Sequence, residues 1–112
     1  MKPSIRYNYY LIMMLEKLFN RLFSPEEREK IRSRSRKEPT ESERKAWILF
    51  AYMNDFRLHD IARSTSRNIR QARYLLSKAE DLFSVNDREI HRYIDKYERT
   101  LEESGRTDTE IN

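Results

Sequence analysis

The chain has 112 residues, 38% hydrophobic and 38% charged, with 23 Lys and Arg against 19 Asp and Glu and a formal net charge of +4. That length suits one domain with a modest core, and a single glycine with three prolines excludes a hairpin-built sheet, which leans on Gly and Asn-Gly turns. Zero cysteines exclude disulfides, thiolate catalysis and Cys-built zinc sites, and point to a reducing, cytoplasmic setting.

The expected architecture is all-α, a small single-domain bundle of five or six helices over residues 1–105, followed by a disordered tail at 106–112. A first helix is predicted from Ser4 to Phe23, with Ile5, Ile12, Leu15, Leu18, Phe19, Leu22 and Phe23 at helical spacing. Tyr9, Tyr10, Met13 and Met14 fall elsewhere on its wheel, so this helix either lies centrally in the bundle or buries a second face against another subunit. Lys2 and Arg6 ahead of an apolar run imitate a secretory signal, but no small-residue cleavage site follows. Glu16 and Lys17 end the run well short of the ~20 apolar residues that span a bilayer, so no membrane partner is expected.

Ser24-Pro25-Glu26-Glu27 is a capping box with proline at the first helical position, and it starts a charged second helix whose only large apolar residue is Ile31. That helix frays into the linker Arg32-Ser33-Arg34-Ser35-Arg36-Lys37 ahead of Pro39. In the linker a solvated role competes with an auxiliary contact to a nucleic-acid backbone, and phosphorylation of Ser33 or Ser35 would invert its charge. Thr40-Glu41-Ser42-Glu43 reads as a second capping box, opening a helix whose Trp47, Leu49 and Phe50 anchor the core. The last helix is predicted to start at Asn86, with Glu89 reaching back and Val85 stapled to Ile90, to present Ile90, Tyr93, Ile94, Tyr97 and Leu101 on one face, and to end near Gly105.

Between these elements the charge pattern changes. From Ile61 to Ala79 the chain carries Arg63, Arg67, Arg70, Arg73 and Lys78 and no acid. A short helix at 58–63, a polar break at Ser64-Thr65-Ser66 and an amphipathic helix from Ser66 give the order of a helix-turn-helix over 58–83. On the wheel Arg67, Arg70, Gln71, Tyr74 and Lys78 share one face opposite Ala72, Leu76, Ala79 and Phe83, with Arg63 and Arg73 at the flanks. Arg pairs bidentately with guanine, Gln with adenine and Lys with phosphate, which are the pairings a major-groove helix uses. The plainer alternative is a solvated helix face. Asp60-Ile61-Ala62 before a turn and a basic helix resembles the DNA-binding region of sigma-like factors, a generic likeness confined to residues 58–83. The pattern departs from that region in lacking the turn glycine and in starting the second helix three residues early.

Catalysis has little to stand on. His59-Asp60 is similar to the doublet of the HD phosphohydrolases, but no histidine lies upstream of it, His91 stands alone, and no glycine-rich phosphate loop exists. Neither enzyme activity nor a cofactor or metal is expected. The leading expectation is a small DNA-binding regulator of transcription or replication that reads duplex DNA with Arg67, Arg70, Gln71 and Tyr74 and grips phosphates with Arg63, Arg73 and Lys78. Homodimerisation through the first or last helix is secondary to it. The competing expectation is a helical protein-interaction module that docks its partner on the aromatic first helix or the Tyr93 and Tyr97 face. RNA binding is disfavoured, because only Tyr74 interleaves with the basic stripe.

Overall fold

The computed structural model describes the backbone of residues 5–111 and the side chains of residues 9–103. Six helices form among the described residues: α1 (Ile5–Leu22), α2 (Pro25–Arg32), α3 (Thr40–Met53), α4 (Leu58–Ser64), α5 (Ile69–Ser84) and α6 (Arg88–Ile111). The bundle is all-α, as composition and periodicity require. The expected start of α1 at Ser4 lies outside the described residues, and α6 runs past Gly105, where the sequence places its end, to Ile111.

α3 is the central helix. Ala46, Trp47, Ile48, Leu49, Phe50 and Ala51 are all buried in succession, which happens only when a helix is covered on every side, and α2, α4, α5 and α6 pack around it. The position considered for α1 thus belongs to α3. α1 contributes one stripe, Leu15, Phe19 and Leu22, continued by Phe23 just past its end, while Tyr9, Tyr10, Met13 and Met14 stay exposed. Phe19 and Phe23 pack on Trp47 with ring centroids 4.9 and 5.7 Å away. Tyr97 meets Phe23 and Phe50 edge-on, each at 5.4 Å. Large side chains of this kind contribute about 1.5–3 kcal/mol each when fully buried, so this cluster carries much of the fold. Tyr93 and Tyr97, one of the faces offered above to a protein partner, are therefore consumed inside the chain.

Helix ends are made without glycine. At the ends of α3, α4 and α5 the backbone turns left-handed at Asp55 (φ 68), Ser66 (φ 56) and Asn86 (φ 59). In each case the next amide donates back to a carbonyl near the helix end, Phe56 to Ala51 at 3.2 Å, Arg67 to Ala62 at 2.9 Å and Asp87 to Leu82 at 3.0 Å, which is the Schellman closure. Asn86 therefore ends α5 and does not begin α6. Asp87 takes the capping role, accepting from the Ile90 amide at 3.1 Å, and Val85 is exposed, so the expected staple to Ile90 is not formed. At α3 the Thr40 box is likewise replaced: Pro39 occupies the cap without a side-chain bond, and the amides of Glu41 and Glu43 donate to the Lys37 and Pro39 carbonyls. The Ser24 box at α2 forms as read, with the Ser24 hydroxyl accepting from the Glu27 amide at 3.2 Å and the Glu27 carboxylate accepting from the Ser24 amide at 2.9 Å.

Candidate nucleic-acid interface

The turn between α4 and α5 sets where the basic side chains stand. Ser66 occupies the left-handed position that a glycine commonly takes, which explains how the turn closes without one. α5 begins at Ile69, three residues later than the sequence suggests, because Asn68 and Gln71 form a capping box: the Asn68 side chain accepts from the Gln71 amide at 2.8 Å and the Gln71 side-chain oxygen accepts from the Asn68 amide at 3.0 Å. Ahead of Ser66, Thr65 is fully buried with its hydroxyl donating to the Ala62 carbonyl. Ser64 accepts from the Trp47 indole at 3.0 Å and donates to the Ile61 carbonyl at 2.6 Å, tying the turn to the central helix.

Two arginines then fasten the α2–α3 connection against this turn. Arg44 is 0% exposed, and its guanidinium donates to the carbonyls of Ile31 (2.7 Å), Ser35 (2.9 Å), Ser33 (3.0 Å) and Lys30 (3.1 Å) and to the Glu41 carboxylate (2.6 Å). It closes the C-terminal end of α2, whose last carbonyls lack helical partners. Arg67 donates to the carbonyls of Ser33 (2.6 Å), Thr65 (2.8 Å) and Arg32 (3.3 Å). Burial pulls both guanidinium pKa values below the ordinary arginine range; the charge of Arg67 adds to this at Arg44, while at Arg67 the carboxylate of Glu41 opposes it and the charge of Arg36 adds to it.

The remaining predicted residues face outward. Arg63, Arg70, Gln71, Arg73, Tyr74 and Lys78 are exposed, and Lys78 lies over the Tyr74 ring at 5.5 Å. Arg67, Arg70, Gln71, Tyr74 and Lys78 line one open groove of about 700 Å³, so the face drawn on the helical wheel exists as a surface. Arg63 joins Arg67, Ser66 and Asn68 in a separate cleft around the turn, and Arg73 lines neither. The two ion pairs among the described residues, Arg44 with Glu41 and Arg57 with Asp60, involve none of the outward bases. The chain matches no protein-family model, no curated protein and no solved structure.

Arg70 sits in the first turn of α5, which contains no acid, so its charge opposes the positive end of the helix dipole. Two of the expected base-reading residues are already engaged: Arg67 is spent on backbone carbonyls, and the side-chain oxygen of Gln71 is held by its cap. Sequence reasoning missed Arg44, Lys45 and the placement of Arg36 beside α5. Only Arg36 had a signal, as part of the basic linker.

His59 is exposed and the Asp60 carboxylate accepts from Arg57 Nε at 2.8 Å, so this doublet does not converge on a shared centre. His91 stacks on Phe83 at 4.2 Å with a ring nitrogen 3.2 Å from the Phe83 carbonyl oxygen. Among the described residues no three His, Asp or Glu side chains gather in a metal-holding group, and no helix is long and apolar enough to cross a membrane.

Proposed function

We propose that this chain is a small, non-enzymatic DNA-binding protein in which α4 and α5 act as a helix-turn-helix, serving a transcriptional or replication regulator in the cytoplasm. The observation that carries the reading is the outward surface of α4 and α5, where Arg63, Arg70, Arg73 and Lys78 stand exposed and outside both ion pairs. α5 enters the major groove of duplex DNA, with Arg70 and Tyr74 toward base edges and Arg63, Arg73 and Lys78 on phosphates. Gln71 reaches an adenine edge by its amide N–H2 unless its cap opens, and Arg67 is a positioning residue that fixes the turn.

Fluorescence anisotropy with labelled duplex DNA tests this. Wild type binds with a log-log salt slope of about −0.9 per phosphate contact, and Arg70→Ala with Lys78→Ala weakens binding and flattens that slope. Unchanged affinity in that double variant, with the helical circular dichroism intact, overturns the reading. Arg67→Ala is the poorer test because it loosens the scaffold.

A second reading has its own observation. Tyr9 at 65%, Tyr10 at 57% and Met13 at 41% exposure form an apolar patch on α1, which suits a protein partner or a second copy of this chain. A protein-interaction module would show a partner lost with Tyr9→Ser and Tyr10→Ser, together with no retention on DNA or heparin at moderate salt.

A further inference from the structure

The linker after α2 is held in one place by the guanidinium groups of Arg44 and Arg67, and this brings Arg36 against α5. Arg36 of the linker and Lys45 of α3 line the same groove as Arg70, Tyr74, Leu75 and Lys78 of α5. Glu41 is the one acid lining that groove, and its Oε2 is bonded to Arg44 at 2.6 Å. Cations gathered in a groove without free carboxylates repel one another, and a polyanion relieves that repulsion. The groove is open, and its bases come from the linker, from α3, from the turn before α5 and from Arg70 and Lys78, about two turns apart on α5. Tyr74, with Lys78 over its ring, is the one aromatic side chain lining the groove, whereas a single-strand site stacks successive bases on several.

We infer that this groove is a phosphate channel, in which Arg36 and Lys45 grip one backbone of the duplex while α5 occupies the adjoining major groove. The inference rests on the DNA-binding reading and extends it to a contact supplied from outside the helix-turn-helix. Such contacts fix orientation on the duplex and carry no sequence information.

The test is anisotropy at several salt concentrations for wild type, Arg36→Ala with Lys45→Ala, Arg36→Ala alone, and the control Arg88→Ala with Arg92→Ala on α6. Removing two phosphate contacts reduces the steepness of the salt slope by about 1.8 and weakens binding roughly 60-fold at about 0.1 M salt, with sequence preference unchanged. Arg36→Ala alone, a substitution at an exposed position, gives about half the slope change and needs no repacking around Lys45. The α6 control removes the same net charge and leaves the slope unchanged. An undiminished slope in both groove variants, while Arg70→Ala with Lys78→Ala still flattens it, overturns the channel and leaves the helix-turn-helix reading standing. An equal loss in the α6 control overturns it too, as a net-charge effect. Wild type that ignores duplex DNA, or prefers single strands, overturns both.

Discussion

Replacing Arg44 by methionine keeps an apolar stem of similar length in the core and removes only the guanidinium. Four backbone carbonyls and the Glu41 carboxylate then lose a donor at once, although the Ser33 carbonyl keeps Arg67 and the Lys30 carbonyl keeps the Ser33 amide and hydroxyl. The bond to Ile31 is buried, so that oxygen is left dry, while the others lie near enough to the surface to regain some water. An orphaned buried acceptor costs about 1–3 kcal/mol, and breaking a buried charge pair from one side about 3–5 kcal/mol, so with rehydration a net loss of about 3–4 kcal/mol is expected. With an unfolding entropy of about 2.1 cal/mol/K per residue, that loss lowers Tm by about 15 °C. Arg44→Lys retains the charge but offers a compact ammonium where a planar fork is needed, and recovers about half of the loss. Thermal unfolding by circular dichroism reads both. A Tm drop below about 4 °C for Arg44→Met, or a lysine variant as stable as wild type, refutes the view that this fork closes α2.

Two more outcomes follow from particular residues. Ser66→Gly removes the side-chain clash of a left-handed residue and stabilises the fold by up to about 1 kcal/mol, raising Tm by about 4 °C, whereas Ser66→Val lowers it. Burial, and secondarily Glu27, raises the Glu43 pKa above the ordinary carboxylate value. A carboxyl group whose folded pKa is raised favours folding fully below its unfolded pKa and loses that contribution as pH rises through the folded one. Glu43→Gln is therefore the more stable form at neutral pH, and its advantage disappears on acidification to below about pH 4, the unfolded carboxylate range. A constant difference from pH 3 to 7 in chemical denaturation rules this out.

How legible the fold was depended on whether a local rule met a tertiary competitor. The Ser24 box forms because nothing else satisfies those amides. The Thr40 box has the same pattern, yet the Pro39 carbonyl already accepts from the Glu43 amide that the Thr40 hydroxyl would serve. Asn86 suits both a cap and a left-handed helix end; the end of α5 takes it, and Asp87 caps α6 one residue later. Ser66 misled for the same reason, since a residue that can start a helix also closes the one before it. The basic face of α5 was readable because it depends only on helical period. The roles of Arg44 and Arg67 were not, because a guanidinium bound to carbonyls leaves no trace in the residue types it touches: every residue has a carbonyl.

Fastening residues 33–35 with two guanidinium groups settles an entropic question before any partner arrives. Ordering a loose segment at the moment of association subtracts about 1–2 kcal/mol per residue from the binding free energy. In this chain that ordering belongs to folding, so on the proposed DNA-binding reading the linker and α5 present one preformed surface to the duplex. That reading then expects association as docking of a rigid body, fast under electrostatic attraction and without the large heat-capacity change that accompanies a segment folding onto its target.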